Sequence, residues 1–185
     1  MALELSILVA GIESAFTSGL DGADVDTVVE ELTAKIVLYS SGAEILMLPG
    51  PIQIPGSPPV PSTGQGATLK VTTTDAGRSA LKQGIKDQFE EGDPTFMKMA
   101  VAVQAYVNAS FTIFSATGHT ATGTTIMSAP PALTAVLADG LAGSSAIETA
   151  GMIAALIHTA YKASAFSGAG VAADAGVGAV SGTLM

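Results

Sequence analysis

The 185-residue sequence contains no cysteine and no tryptophan. Without cysteine there is no disulfide and no thiolate metal site, and redox chemistry gives no information on compartment. Charge is sparse as well: charged residues make up 12% of the chain, against a usual share of about 25%. Basic residues are the scarcest, seven Lys and Arg facing sixteen Asp and Glu, for a formal net charge of −9 and a pI near 4.4. Binding a phosphate backbone requires a basic patch, so this balance argues against a nucleic-acid partner. Aromatic residues reach only 5%. That is poor material for a sugar-binding cleft, so a carboxylate pair for glycoside hydrolysis has little support.

Long clean apolar runs are missing too. The longest, "AGMIAALIHTAYKASAF" at 150–166, is interrupted by His158 and Lys162. It falls short of the roughly 18 apolar residues that a membrane span needs, so no membrane partner is expected. The opening "MALELSILVAG" has no basic stretch, and Glu4 precedes its apolar part, which argues against a signal peptide.

What the chain has in excess is apolar side chains, 48% of residues with a mean hydropathy of +0.50. One small domain does not easily bury that much. Part of the apolar surface is expected to face other subunits, in a homo- or hetero-oligomer.

The pattern of these residues repeats. "YVNASF" (106–111) and "YKASAF" (161–166) are nearly the same phrase, running from Tyr106 to Phe111 and from Tyr161 to Phe166. The third tyrosine, Tyr39, heads "YSSGAEI", where Ile45 matches the phenylalanines only loosely. Upstream of each tyrosine lies an apolar triplet at i, i+4, i+8: Leu8, Ile12 and Phe16; Leu81, Ile85 and Phe89; Leu133, Leu137 and Leu141. That spacing lines one face of a helix. Downstream, each segment closes on Thr, then Leu or Ile, then Lys or Met. Small residues six positions before each tyrosine (Thr33, Ala100, Ala155) suit close helix contact, and His158 falls where the other segments have Ile36 and Val103.

Three tandem units follow, at about 1–71, 72–128 and 129–185, within a single domain. Each opens as a helical hairpin whose second helix ends at the tyrosine. Helix starts are signalled by Asp93-Pro94 as N-cap and first helical residue, by capping boxes at Thr27–Glu30 and Ser145–Glu148, by Asp75 as a cap, and by Pro130-Pro131 before Leu133. The tails read as extended or short-strand segments. "TIFSATGHTATGTTIM" is rich in Thr and Gly, while "SGAGVAADAGVGAVSGTLM" carries too much Gly and Ala to read firmly as strand. The first tail holds six of the nine prolines and is excluded from a central strand. Such tails either clamp onto a neighbouring chain by strand addition or pack on their own hairpin. The fold class is therefore α+β, mainly α: three helical hairpins, each followed by a Thr/Gly/Pro-rich tail.

No catalytic set emerges. Asp21, Asp24 and Asp26 in "DGADVD" do not meet the calcium-loop pattern and read as acids favoured at a helix start. "GQGATLK" lacks phosphate-loop spacing, and there is no G-x-S-x-G elbow. His119 sits in a Thr/Gly loop, and pairing it with His158 and an Asp as a metal site has little behind it. Glu90, Glu91 and Asp93 read as a solvated turn. The tyrosines read as core plugs with a polar tip, and neither metal nor cofactor is expected.

The assembled pattern is "IKDQF" with "AVAVQAYVNASF", "VLADGL" with "ALIHTAYKASAF", and the tails at "ATGTTIM" and "VSGTLM". It resembles virion structural proteins of tailed bacteriophages. The resemblance implies a non-enzymatic assembly component located in the virion, with other virion proteins as partners. Two further readings are a bacterial surface or adhesion module binding a ligand through its Thr/Gly loops, and a small hydrolase with a His/Asp site.

Overall fold

The structure is a computed structural model that describes residues 4–48, 51–52, 60–61, 68–92, 95–116, 119–135, 145–172 and 177–184. Among them the chain is α+β, with five helices and one six-stranded antiparallel sheet. The helices are α1 (Leu5–Leu20), α2 (Val25–Ser41), α3 (Asp75–Glu90), α4 (Met97–Asn108) and α5 (Ala146–Lys162). The strands are β1 (Glu44–Leu48), β2 (Pro51–Ile52), β3 (Val60–Pro61), β4 (Thr68–Lys70), β5 (Phe111–Ala116), β6 (His119–Ile126), β7 (Ala165–Ala172) and β8 (Val177–Leu184).

The apolar triplets do the work their spacing suggests. Leu8, Ile12, Leu81, Ile85 and Leu133 are fully buried, while Phe16 and Phe89 pack half-buried at the rim of the core. Leu137 and Leu141 lie outside the described residues. α1 packs on α2 and α3 on α4, and glycines sit at both crossings. A Cβ on Gly11 would fall 2.8 Å from Lys35 Cβ, and one on Gly84 would fall 2.3 Å from Ala102 Cβ. The turns after α1 and α3 each use a glycine in the left-handed region, Gly22 (φ 96) and Gly92 (φ 62).

Several helix starts differ from the sequence expectation. Ser145 and Glu148 do form the reciprocal capping box of α5. α2, however, is capped by Asp24, whose carboxylate accepts from Thr27 N–H at 2.8 Å, so Thr27 lies inside the helix. Thr74 caps α3, leaving Asp75 as its first helical residue. α4 begins at Met97, beyond Asp93-Pro94, which lie outside the described residues. Its N-cap, Phe96, has φ 52 and gives no side-chain bond. Gln88 of α3 supplies what is missing, its buried amide oxygen accepting from Met99 N–H at 3.3 Å. A partner helix thus satisfies a donor that a local cap would otherwise take.

The tails are more regular than expected. β7 and β8 run eight residues each despite their Gly and Ala content. Their positions in the sheet explain this: the order is β4-β1-β8-β7-β6-β5, so both strands have a partner on each side. β7 is paired along its length with β6 and along most of it with β8, and β1 covers the second half of β8, so ladder bonds outweigh weak intrinsic strand preference. β4 and β5, the two ends of that order, lie side by side, so the sheet curls round on itself. Of the two readings of the tails, packing against the chain's own elements describes β7 and β8, which lie inside the sheet, while β4 and β5 are its edge strands. Of the first tail, Pro51 and Pro61 fall opposite one another in the β2–β3 pair, which is separate from the six-stranded ladder although β2 lies near β7 and β8.

Candidate functional site

Aligned at their last helical residues, Ser41, Asn108 and Lys162, helices α2, α4 and α5 share one burial pattern. Leu32, Met99 and Ile153 are buried at one position, Thr33, Ala100 and Ala154 at the next, then Ile36, Val103 and Ile157. This register corrects three sequence readings. Tyr39 and Tyr106 are equivalent, but Tyr161 stands one residue further on, opposite Ser40 and Val107. His158 corresponds to Val37 and Gln104, not to Ile36 and Val103, and Ala154 rather than Ala155 is the small contact residue. Phe111 opens β5 whereas Phe166 is the second residue of β7, so they too are offset. The closing Thr motifs do not coincide either: the residues facing the first strand positions are Lys70, Thr124 and Thr183.

The offset brings the tyrosines together where the helices meet the sheet. Tyr161 projects to Ser40, with its hydroxyl 2.5 Å from Ser40 Oγ. Ser40 in turn donates to the Ile36 carbonyl at 2.7 Å, so the chain of bonds runs Tyr161 to Ser40 to Ile36. The Tyr39 ring meets Tyr161 edge-on with centroids 5.3 Å apart, a favourable aromatic geometry. Tyr39 Oη lies 2.7 Å from His158 Nδ1. Tyr106 is also buried, with Ser40, Thr73 and Arg78 beside its hydroxyl but no hydrogen-bond partner made. Ser110 and Ser164, at equivalent positions before β5 and β7, bond back to the Tyr106 and Ala160 carbonyls.

This cluster is built to hold elements together. Burial pushes all three phenol groups above their ordinary pKa, so they stay protonated donors at neutral pH. Burial, reinforced by the charge of Lys162, holds His158 below the usual histidine value. A neutral imidazole accepts from Tyr39 at Nδ1.

A pH dependence follows. A histidine with a depressed folded pKa supports the fold fully above its unfolded value, near 6.5, and that support is lost as pH falls through the folded value. Thermal unfolding is expected to shift to lower temperature between about pH 7.5 and about pH 5.5, and His158→Gln should flatten that slope. An unchanged slope in the variant would remove His158 as its source.

Gln104 and Asn108 tie α4 to the sheet. Asn108 Oδ1 accepts from Met127 N–H at 2.7 Å, and Gln104 Nε2 donates to the Met127 carbonyl at 2.9 Å. No sequence pattern pointed to this clamp, because its partners are nineteen or more residues apart. His119 lies in β6 opposite Ala116 and Ala172, and among the described residues no group of His, Asp and Glu is placed to hold a metal ion. No helix among them is long and apolar enough to cross a membrane. At the opposite end of α2, beyond the α1–α2 turn, lies an open apolar groove of about 540 Å³. Comparison with protein-family models, curated proteins and solved structures finds no match.

Proposed function

We propose that this chain is a non-enzymatic structural subunit of a tailed-bacteriophage particle, located in the virion and assembled with other virion proteins. The observation that carries the reading is the division of labour among side chains. Several polar side chains tie helix to helix or helix to sheet, Tyr161 to Ser40, Tyr39 to His158, and Gln104 and Asn108 to Met127, while several large apolar side chains lie outside. Leu20 is 76% exposed, and Leu38, Val101, Ile126 and Ile147 are exposed as well. Apolar residues on the outside of a stiff scaffold suit an assembly component better than a free enzyme.

The scaffold is further proposed to be a triplicated unit wound into a ring, in place of a line. Supporting this, β1–β4, β5–β6 and β7–β8 pair within the three segments, and β1–β8, β6–β7 and the β4–β5 contact link one segment to the next. The helices follow the same cycle, with α2 on α3 and α5 on α1. The third such contact would fall on residues outside those described. Gly11 against Lys35 and Gly84 against Ala102 occupy matching places in the first two hairpins.

Light scattering across protein concentration and co-sedimentation with phage particles test the assembly reading. Association with particles, or with copies of itself, is the expected result. A chain that stays monomeric at every concentration and never enters a particle would overturn it.

A further inference from the structure

The apolar groove at the helix turns has walls from two hairpins. Phe16, Leu20, Val25 and Val28 come from α1 and α2, and Phe89 and Phe96 from α3 and the start of α4. Its volume lies within the roughly 300–1,000 Å³ common to binding clefts. The walls are fixed relative to one another: Lys86 of α3 bonds Asp26 of α2 at 2.7 Å, and Lys82 pairs with Glu30. The groove therefore exists before anything enters it, which lowers the ordering cost of binding.

The rim is acidic. Asp21 follows Leu20, Asp24 and Asp26 flank Val25, Glu90 follows Phe89, and Glu148 precedes Thr149, which also lines the groove. Lys86 offsets part of this charge by pairing with Asp26 and Glu90, and Lys98 pairs with Glu91, which leaves Asp21, Asp24 and Glu148, among the described residues, as the rim acids not held by a lysine. Helix dipoles do not reverse this sign, because the C-terminus of α1 and the N-terminus of α2 border the groove together. Asp24 keeps its charge firmly, its carboxylate held ionised by the Thr27 amide.

Charge decides among occupants. A second copy docked rim to rim would oppose acid to acid. An anionic membrane surface would be repelled in the same way. A segment apolar on one side and rich in Lys or Arg on the other meets both features at once. We infer that this groove docks a basic amphipathic helix of a partner protein, with apolar side chains in the groove and basic ones over Asp21 and Asp24. The inference rests on the assembly reading only for the existence of such a partner.

The test is calorimetric titration with synthetic helical peptides. One carries Leu at i, i+3, i+4 and i+7 with Lys on its other face, a second replaces Lys by Glu, and a third replaces Leu by Ser. The Leu/Lys peptide is expected to saturate one site, with the other two binding at least about tenfold more weakly and added salt weakening the first. Leu20→Asp, at a highly exposed position, should lower Leu/Lys affinity by about tenfold or more while circular dichroism shows an unchanged fold. Asp21→Lys should shift preference toward the Leu/Glu peptide. Equal binding of the Leu-free peptide, full affinity in Leu20→Asp, or stronger partition onto neutral phosphatidylcholine vesicles would each overturn the proposal. Peptide binding failing in a chain that still enters particles removes the groove and leaves the assembly reading. Binding by a chain that never enters particles does the reverse.

Discussion

Replacing Tyr161 with alanine is expected to lower unfolding stability by about 3–5 kcal/mol, the range for removing a large buried ring. The side chain is 2% exposed, packs edge-on against Tyr39 and reaches Ser40 across more than half the chain. Its loss leaves a cavity where α2 meets α5, with helices on one side and the sheet on the other. Two milder variants separate ring from hydroxyl. Tyr161→Phe removes one hydrogen bond, and Ser40 still has the Ile36 carbonyl, so the cost should be about 1 kcal/mol. Tyr106→Phe removes a hydroxyl that is buried and unpaired, and should be neutral or stabilising. Urea unfolding followed by circular dichroism measures all three. If Tyr161→Ala loses less than about 1 kcal/mol, the ring is not the keystone described.

The second large effect is Gly84→Ala, where two general rules point in opposite directions. In an open helix interior this change should stabilise by about 1 kcal/mol, because alanine has the higher helix propensity. Here the added Cβ would sit 2.3 Å from the Ala102 Cβ, far inside van der Waals contact. The α3–α4 crossing must spread, and overpacking of this kind costs about 1–3 kcal/mol. Gly151→Ala is the control: it lies within α5 with nothing inside 4 Å of the new carbon, so it should stabilise by about 0.5–1 kcal/mol. Thermal melts of the pair give the answer directly. Two stabilising substitutions would mean that the α3–α4 contact is looser than the structure has it.

The helical part of the fold was legible because its signal is local. The triplet spacing marks Leu8, Ile12, Leu81, Ile85 and Leu133 as core, and each is fully buried. The Ser145–Glu148 capping box was equally readable, since all its parts lie within four residues. Phe16 and Phe89 share that spacing but end up half-buried at the groove. Periodicity states a direction on the helix, and the depth along it depends on what else packs there. The tyrosine phrases misled by one residue, because "YVNASF" and "YKASAF" align by letter while the helices align by burial. What matches between them in space is Ala109-Ser110 with Ala163-Ser164, the hand-over into the strand. The site at Tyr39, Ser40 and His158 joins residues more than a hundred positions apart, and no local pattern reports such a contact. The sheet was hidden for a related reason: strands of Gly and Ala depend on neighbours, and those neighbours are set by topology.

That topology also bears on synthesis. β1 emerges early, yet one of its two partners is β8, paired through Ile45 with Leu184 and Leu48 with Ser181. α1 likewise waits for α5. Contacts of such long sequence separation slow folding, because the loop they close must be ordered before any of them forms. On the ribosome the first hairpin can pair its helices but cannot finish its strand layer until β8 appears. Until then β1 presents an unpaired edge of Glu-Ile-Leu-Met-Leu, the kind of segment that recruits other chains. A ribosome-stalled or prematurely terminated product lacking β8 should therefore be aggregation-prone out of proportion to its missing length, and a holdase chaperone acting on the nascent chain would find its target there.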